Sequence, residues 1–360
     1  MIVLHIIEAL GGGVYSYFKD LTYYFSQDHV RSKFKTYIIY NDKRNEIIPE
    51  KIKKDFGEQI ELIKVDMSKN INPLKDIKSS FTIAKIIKDI NPNVIHLHSS
   101  KASVIGRLSS FLSFNKHKIF YTPHGYSFLR RDISKQKQVL FKSIEKYTQK
   151  IFGGTTIACG DTEYKIAQKL GKTKLVRNGI NLKKIKGLQQ INQKNKSSLR
   201  FGIVGRITEQ KNPKLFNDIA LKFPQYEFIW IGDGELNNII TAENIKITGW
   251  LFDENEVYSY LNTIDVFLQT SLWEGLPIAL LEALALKKPI VSTNIIGNKD
   301  VVINNYNGFL FNDISELDSI LPKFENLNFR KNMGINAFNS CKKNFDINVN
   351  FKVLEGIYSS

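Results

Sequence analysis

Short runs rich in β-branched residues alternate with helical segments along the whole chain, and this alternation restricts the fold more than any other feature. Strands that alternate with helices build βαβ units and parallel sheets. Between the strands, residues 79–90 and 101–114 carry apolar side chains at helical spacing. The predicted strands are 2–7, 36–40, 60–65, 94–98, 118–122, 155–159, 174–177, 200–204, 227–231, 245–248, 266–270, 289–293 and 308–311.

The chain of 360 residues is long enough for two domains. A polar stretch at 187–198 has few apolar residues and is typical of a linker. Directly after it, a strand followed by glycine repeats the pattern of the N-terminus. We therefore expect an α/β protein with two Rossmann-like domains that face a cleft, at 1–186 and 187–344. The tail 345–360 has apolar residues four apart, so it should form a helix that either closes the second domain or crosses back onto the first.

Positive charge is concentrated in the first half of the chain. The net charge is +16, and residues 1–180 hold 31 Lys and Arg against 16 Asp and Glu. A one-sided charge favours an anionic partner: a membrane surface, a phosphorylated acceptor or nucleic acid. A lysine-rich solvated surface explains the same numbers.

The sequence contains no apolar run of membrane-spanning length. Its N-terminus is interrupted by His5 and Glu8 and is typical of a first strand rather than a signal peptide. Its two cysteines, Cys159 and Cys341, lack metal or redox spacing, which fits a reducing compartment. We therefore expect a cytoplasmic protein.

The segment from Ser271 to Glu282 carries the strongest functional signal. Pro277 suits the start of a helix, and the free amides at a helix N-terminus suit phosphate. Glu282 lies in an otherwise apolar run, where a carboxylate is costly unless it is hydrogen-bonded, and ribose hydroxyls would satisfy it. Glu274 lies in the preceding loop, where it could accept from a sugar hydroxyl. The alternative is an amphipathic helix whose glutamate faces water.

A second signal is Gly205-Arg206 followed by Lys211. Gly205 ends a strand, where ligands of α/β sheets bind. A diphosphate leaving group needs charge stabilisation from a cation or a metal. The chain has no Asp-x-Asp pair to hold a metal, so Arg206 and Lys211 are the natural substitute. Two solvated basic residues in a turn are the alternative.

Two weaker signals lie in the first half. Gly12 and Gly13 follow the first strand, where glycines let a ligand approach backbone amides, although a tight strand–helix turn explains them equally. His124, held between Pro and Gly after another strand, could contact a sugar hydroxyl or be structural. His96 and His98 share one face of a strand, but no third metal ligand is evident from the sequence.

These elements together resemble the retaining glycosyltransferases of family 4, which have the GT-B fold. The resemblance covers essentially the whole chain, and its specific parts are Glu274-x7-Glu282 and the segment from Gly205 to Asn212. The Glu-Gly-Leu-Pro form is similar to members that build bacterial capsule, exopolysaccharide or other surface glycans. The resemblance implies a nucleotide-diphosphate sugar as donor, with UDP as the expected nucleotide and a hexose or N-acetylhexosamine as the sugar. It implies retention and no requirement for a metal or other cofactor.

The resemblance also implies a role for each matching residue. Arg206 and Lys211 would hold the diphosphate, Glu282 the ribose, and Glu274 a donor-sugar hydroxyl. Gly12 and Gly13 would close over the phosphates, His124 would contact the sugar, and the turn at Trp250 would hold the base. Asn178-Gly179 matches the family's interdomain turn, although a plain Asn-Gly turn is the simpler interpretation. The implied donor-binding residues are Gly12, Gly13, Gly205, Arg206, Lys211, Trp250, Leu251, Glu274, Gly275, Leu276, Pro277, Ile278 and Glu282, and those implied in catalysis are His124, Arg206, Lys211 and Glu274.

In this fold the first domain binds the acceptor and the second the donor, so the basic half would be the acceptor half. We expect a polyprenyl-diphosphate-linked or glycan acceptor and a peripheral position on the anionic inner face of the cell membrane. The segment 128–152 holds seven Lys and Arg, with Leu140, Phe141, Ile144 and Ile151 at helical spacing. Such a helix could lie in a membrane interface or pack on its domain.

Three other functions compete with glycosyl transfer: a nucleotide-sugar epimerase of the same fold, a silent sugar-nucleotide sensor and a nucleic-acid-binding protein. The sequence shows no recognised nucleic-acid motif, so we expect no nucleic-acid partner.

Overall fold

The computed structural model describes residues 1–8, 10–43, 47–68, 71–186 and 198–360. The predicted linker at 187–198 lies, apart from Ser198, outside the described residues.

All thirteen predicted strands are confirmed, and each end lies within two residues of its predicted position. They are β1 (Ile2–Ile7), β2 (Lys35–Tyr40), β3 (Glu61–Lys64), β4 (Val94–His98), β5 (Lys118–Thr122), β6 (Thr155–Ala158), β7 (Thr173–Leu175), β8 (Arg200–Val204), β9 (Glu227–Ile231), β10 (Ile245–Ile247), β11 (Val266–Gln269), β12 (Ile290–Thr293) and β13 (Gly308–Phe311).

The helices fall between and after these strands. They are α1 (Gly12–Phe25), α2 (Asp28–Arg31), α3 (Pro49–Phe56), α4 (Pro73–Ile90), α5 (Ser100–Leu112), α6 (Lys135–Phe152), α7 (Asp161–Ala167), α8 (Leu182–Lys186), α9 (Pro213–Lys222), α10 (Glu254–Thr263), α11 (Ile278–Ala285), α12 (Asn298–Val301), α13 (Leu317–Ile320), α14 (Leu327–Asn344) and α15 (Ile347–Ser359).

Two of the predicted helix ends are wrong, for reasons of capping and backbone conformation. Helix α4 begins six residues before the predicted 79, because the side chain of Asn72 caps it by accepting from the Lys75 amide. Helix α5 ends at Leu112 rather than at 114, because Phe114 adopts a left-handed conformation with φ of 58°.

Each half of the chain forms its own parallel sheet. The first has the order β3-β2-β1-β4-β5-β6-β7 and the second the order β10-β9-β8-β11-β12-β13. In each sheet the chain starts in the middle, builds outward to one edge, and then returns to build the other. This doubly wound topology is the Rossmann-like arrangement, and its ligands bind at the carboxyl ends of the strands near the point of reversal. Those points are β1/β4 and β8/β11.

The structure divides into two compact units. The first comprises Met1–Arg177 and Asn348–Ser360, and the second comprises Asn178–Ile347. The first boundary therefore lies at Arg177 rather than at 186. Residues after it contact the second unit: Ile180 forms a β-bridge with Asp346.

The C-terminal helix belongs to the first unit. Tyr358 of α15 is fully buried, and its hydroxyl lies 2.5 Å from Nδ1 of His96 in β4. The tail was expected either to close the second domain or to cross back onto the first. Residues 348–360 belong to the first unit, so the second of these alternatives is confirmed for them. Within the described residues, no helix combines the length and hydropathy that a bilayer span requires.

Candidate active site

The carboxyl edge of the second sheet is built from loops that bond to one another. The amide of Gly205, which follows β8, donates to the Ile231 carbonyl over 3.0 Å. The amide of Gly232, which follows β9, donates to Oγ1 of Thr248 over 3.0 Å. These bonds fix the positions of three loops at the edge where α/β sheets bind ligands.

Both the backbone conformation and the neighbouring atoms favour a glycine at position 205. Its φ is +138°, and a Cβ there would lie 2.9 Å from Cε of Lys211. Its carbonyl accepts a 2.8 Å hydrogen bond from Nε1 of the buried Trp230. A Cβ on Gly232 would lie only 2.4 Å from this same carbonyl oxygen. The two glycines therefore allow a close approach of the β8 and β9 loops, next to Arg206.

Lys211 is positioned by the backbone around it. It ends a short 3₁₀ turn, Glu209–Lys211, and Asn212 then adopts a left-handed conformation and caps α9 by accepting from the Leu215 amide. The Lys211 carbonyl accepts a 2.7 Å hydrogen bond from Oγ1 of Thr270, which follows β11. This bond ties the lysine loop to the loop that carries Glu274.

The carboxylate of Glu274 accepts hydrogen bonds from four side chains. Nζ of Lys211 and Oγ of Ser271 each lie 2.8 Å from Oε1, and Nε2 of Gln269 lies 3.1 Å from the same oxygen. Oε2 accepts from Nε2 of Gln210 over 3.1 Å. Oε2 therefore retains acceptor capacity for a further hydroxyl, and the Lys211 ammonium retains donors.

Glu282 lies inside α11, which begins at Ile278 directly after Pro277. It is 6% exposed, so the alternative that it faces water is wrong. The loop that precedes the helix is also buried, through Gly275 and Leu276. The Leu276 carbonyl accepts a 3.1 Å hydrogen bond from Nδ2 of Asn178, so Asn178 does more than form a turn.

Gly297 supports the Glu274 loop, a role that the sequence did not predict. Its φ is +85°, and a Cβ there would lie 2.2 Å from the Gly275 carbonyl oxygen and 3.1 Å from Cβ of Glu274. The glycine therefore lets the loop before α12 lie directly against the Glu274–Gly275 segment. Gln210 and Gln269 were not predicted either, since a glutamine has no local signature of its role.

The turn proposed to hold the base follows β10. Oγ1 of Thr248 donates to the Gly249 carbonyl over 2.9 Å, and Gly249 has a φ of +77°. Trp250 is 37% exposed and Leu251 is half-buried. An exposed aromatic face on a glycine turn can stack on a planar ring.

In the first unit, the glycine turn lies at the start of α1. Gly11 precedes the helix, Gly12 has a φ of +52°, and both Gly12 and Gly13 are exposed. The amide ends of a 14-residue helix thus remain accessible beside the reversal point of the first sheet.

His124 follows β5 in a left-handed conformation with φ of 53°. Its Nε2 lies 3.0 Å from Nδ1 of the buried His98. Glu163 fixes the turn, because its Oε1 accepts from the Gly125 amide over 2.9 Å and its Oε2 from the Cys159 amide over 2.8 Å. Burial lowers the pKa of His124 to about 3, so its imidazole is neutral.

No third ligand beside His96 and His98 was evident from the sequence, and this interpretation was wrong. His5 of β1 is buried beside them, and potential ligand atoms of the three rings lie within 4.8 Å of one another. The signal was topological, because β1 and β4 are neighbours with His5 opposite His96.

Chemically, the second unit offers two cations near a strand end, a carboxylate with spare acceptor capacity, and a buried glutamate in the helix that follows. This set suits a ligand with both anionic and hydroxyl groups. The structure brings Lys211 and Glu274 into direct contact, and places Gly205 against Lys211.

Two family models match the chain. One is described as glycosyl transferases group 1 and covers residues 185–339, and the other as glycosyl transferase 4-like and covers residues 47–159. The chain is 31% identical over 285 residues, 71% of each chain, to the UDP-Gal:alpha-D-GlcNAc-diphosphoundecaprenol alpha-1,3-galactosyltransferase of Escherichia coli. It is 30% identical over 328 residues, 87% of this chain and 86% of the other, to an uncharacterized 41.2 kDa protein in the cps region of Klebsiella pneumoniae.

Solved structures share the fold over the full length. Sucrose-phosphate synthase from Thermosynechococcus elongatus has a TM-score of 0.78 at 14% identity, covering 99% of this chain and 98% of that one. The Anabaena protein Alr3699/HepE in complex with UDP-glucose has a TM-score of 0.74 at 18% identity, covering 100% of both chains. The fold, the two matching family models and the identity to the E. coli enzyme together show that the chain belongs to the family 4, group 1 glycosyltransferases with the GT-B fold.

Proposed function

We propose that this glycosyltransferase transfers a sugar from UDP to a polyprenyl-diphosphate-linked glycan, with retention of configuration and without a metal ion. The observation that carries the proposal is the Lys211–Glu274 pair at the carboxyl edge of the second sheet. A cation beside a carboxylate suits a ligand that joins a diphosphate to a sugar hydroxyl. The E. coli relative named for UDP-Gal and a diphosphoundecaprenol-linked sugar supports the donor and acceptor class.

Each donor group has a proposed partner in the second unit. Arg206 and Lys211 hold the diphosphate, and Oε2 of Glu274 accepts from a sugar hydroxyl. Glu282 accepts from the ribose. The backbone from Gly275 to Ile278 faces phosphate and sugar, and the turn at Trp250 and Leu251 faces the base. In the first unit, the amides at Gly12 and Gly13 bind phosphate, and His124 contacts the sugar.

The reaction that follows needs no protein nucleophile. The bond between C1 of the sugar and the diphosphate oxygen breaks, and the acceptor oxygen bonds to C1 on the same face. The acceptor's proton passes to the departing phosphate oxygen. Because negative charge develops on that diphosphate, Arg206 and Lys211 stabilise the transition state more than the ground state.

A transfer assay tests the proposal. The protein is incubated with UDP- and GDP-sugars, with and without a polyprenyl-diphosphate-linked N-acetylhexosamine, and products are identified by mass spectrometry. We expect an acceptor that gains one sugar from a UDP-sugar. Epimerised sugar nucleotide or free UDP, formed equally without acceptor, would instead indicate the epimerase.

We further propose that the first unit docks on an anionic membrane surface through α6 and its neighbours. The predicted stripe of this helix is divided in the structure. Phe141 packs against the core of the unit, whereas Leu140 and Ile151 are 54% and 70% exposed. Val139 and Tyr147 are also exposed on the same helix. Apolar side chains among lysines favour an interface of acyl chains and anionic headgroups.

Vesicle flotation tests this surface. Wild-type protein should bind vesicles that contain phosphatidylglycerol and should be released by salt, because lysine contributions are screened. Replacing Val139, Leu140 and Ile151 by Ser should weaken binding, whereas Leu221→Ser, at an exposed apolar residue of the second unit, should not. Equal binding to neutral vesicles, or salt-sensitive binding to nucleic acid alone, would contradict the proposal.

A further inference from the structure

Four histidines form a cluster inside the first unit. His5 lies in β1, His96 and His98 lie in β4, and His124 follows β5. The first three are fully buried, and His124 is half-buried. The proposed function assigns a contact to His124 alone, so the other three buried rings need an explanation.

Hydrogen bonds divide the cluster into two parts. His5, His98 and His124 form a chain: Nδ1 of His5 lies 3.0 Å from Nε2 of His98, and Nδ1 of His98 lies 3.0 Å from Nε2 of His124. His96 is separate, because its two nitrogens bond to the hydroxyls of Tyr358 and Thr122.

These bonds also weigh against a metal site at His5, His96 and His98. Both ring nitrogens of His96 and both of His98 already have hydrogen-bond partners. A metal ion would have to displace at least one hydrogen bond at His96 and one at His98, since a ligating nitrogen needs a free lone pair.

The three hydrogen-bonded rings, those of His5, His98 and His124, are neutral. Burial lowers the pKa of His5 and His124 to about 3. Burial also lowers the pKa of His98 well below its usual value, and the neighbouring histidines add to this effect. Among the described residues, the groups that face these rings are Tyr17 and Phe18 of α1, Tyr358 of α15 and the rings of the cluster itself. Each neutral ring carries one N–H, so the chain has two consistent directions.

In one direction every ring carries its proton on Nδ1: His5 donates to His98, and His98 donates to His124. In the other direction every proton is on Nε2, and His5 keeps an N–H at its own Nε2. That nitrogen is buried without a partner among the described residues. In protein backbones, buried N–H groups without a partner are rarer than under-bonded carbonyl acceptors. By the same preference, the first direction is favoured for these rings. It also leaves the last N–H on the half-buried ring of His124, where an oxygen can accept it.

We propose that His5 and His98 are positioning residues that hold His124 in the Nδ1–H tautomer, so that it presents a hydrogen-bond donor rather than a base. This rests on the proposed function in one respect, the contact between His124 and the substrate. Nδ1 of His124 then donates to a hydroxyl or phosphate oxygen. For His124 to remove a proton from the acceptor, the tautomers of all three rings would have to reverse. The arrangement therefore fits a reaction in which the leaving diphosphate takes that proton.

The direct test is the tautomer of each histidine in the full-length protein, without substrate. The chain has six histidines, so selective ¹⁵N labelling and long-range ¹H–¹⁵N correlation resolve them, with single variants for assignment. We expect His5, His98 and His124 to carry the proton on Nδ1. Exposed His29 should show the Nε2–H form that predominates in water. An Nε2–H form of His98 or His124 would overturn the proposal.

Two substitutions of His98 separate positioning from packing. His98→Phe keeps a ring but removes the donor to His124, whereas the amide of His98→Asn can place an N–H near the position of Nδ1. We expect His98→Phe to lower kcat by roughly tenfold to a hundredfold, as for other supporting partners of a functional residue. His98→Asn should retain more of kcat than His98→Phe, and should keep His124 in the Nδ1–H form. Equal loss in both variants would overturn the positioning role.

The proposed sugar transfer and the positioning role of His5 and His98 can fail separately. If no UDP-sugar is transferred by the wild-type protein but the tautomers are as expected, the proposed function is wrong and the fixed tautomer of His124 stands. If transfer occurs while His124 carries its proton on Nε2, the proposed function stands and the positioning role is wrong.

Discussion

Lys211 and Glu274 form an ion pair of 2.8 Å in which neither side chain is more than 14% exposed. They are 63 residues apart, and each belongs to a different loop at the carboxyl edge of the second sheet. The pair therefore joins the cation proposed for the diphosphate to the carboxylate proposed for the sugar before any donor binds.

We predict that Lys211 and Glu274 are coupled in both stability and activity. Lys211→Met should lower the free energy of unfolding by roughly 1–3 kcal/mol, because it leaves a carboxylate unpaired in a nearly buried site. Adding Glu274→Gln should recover part of this loss. For comparison, Lys214→Met breaks an exposed pair with Asp218 and should change stability by less than about 1 kcal/mol. Chemical denaturation measures the free energy of unfolding of the wild type, Lys211→Met, Lys211→Met/Glu274→Gln and Lys214→Met.

In the transfer assay, Lys211→Met should lower kcat by roughly a hundredfold, as expected for loss of one stabiliser of transition-state charge. Glu274→Gln should retain more activity than Glu274→Ala, since it keeps the proposed hydrogen bond to the sugar. Strictly additive losses in the Lys211→Met/Glu274→Gln double variant would contradict the coupling.

Gly297 should be intolerant of any side chain. Gly297→Ala forces a left-handed conformation on alanine and places its Cβ 2.2 Å from the Gly275 carbonyl oxygen. We expect a loss of roughly 1–3 kcal/mol of stability and weaker donor binding, as for other overpacked sites. Gly356 offers a matched control, because it lies exposed in α15 and a Cβ there would have nothing within 4 Å of it. Gly356→Ala should be neutral or stabilise the protein by roughly 0.5–1 kcal/mol.

The strands were readable from the sequence because buried parallel strands are short, continuous β-branched runs between glycines and polar residues. Ile2–Ile7 and Val94–His98 match their predicted bounds without a shift. Glu274 and Lys211 were identified as candidates through a motif.

Contacts across the sheet could not be predicted from the sequence, because they depend on strand order. His5 and His98 are 93 residues apart and meet only because β1 lies beside β4. Leu140 and Phe141 are adjacent in a stripe, and only the packed unit shows that Leu140 is exposed whereas Phe141 is partly buried against the core.

Stability should fall with acid through the histidine cluster. Burial lowers the pKa of His5 and His124 to about 3, and those of His96 and His98 fall well below the usual value. The unfolded chain takes up these protons near pH 6.5, so it binds more protons than the folded state below that pH. Stability is therefore retained above pH 6.5 and lost as pH falls toward 3, by up to about 1.4 kcal/mol per pH unit for each ring.

Denaturation between pH 7 and pH 5 measures this slope before most carboxylates titrate. Replacing His5 with Phe should reduce the slope, because it removes one ring that stays neutral in the folded protein. A pH-independent wild-type stability over this range would show that the cluster is not held neutral.

Transfer should survive removal of divalent cations. Arg206 and Lys211 are proposed to supply the positive charge that a metal ion supplies in other glycosyl transfers. We expect full activity after dialysis against EDTA, and a loss of roughly a hundredfold in Arg206→Ala that Mg²⁺ or Mn²⁺ does not restore. Activity lost in EDTA and recovered with either metal would contradict the role of the two side chains.

The configuration of the new glycosidic bond distinguishes same-face attack from inversion. Proton NMR of the product gives the coupling constant of the anomeric hydrogen, after transfer from an α-linked UDP-hexose to a polyprenyl-diphosphate-linked acceptor. Same-face attack assisted by the departing diphosphate predicts the small coupling of an α-glycoside for a gluco- or galacto-configured sugar. A β-glycoside with a large coupling would mean inversion, and would contradict the mechanism assigned to Arg206, Lys211 and Glu274.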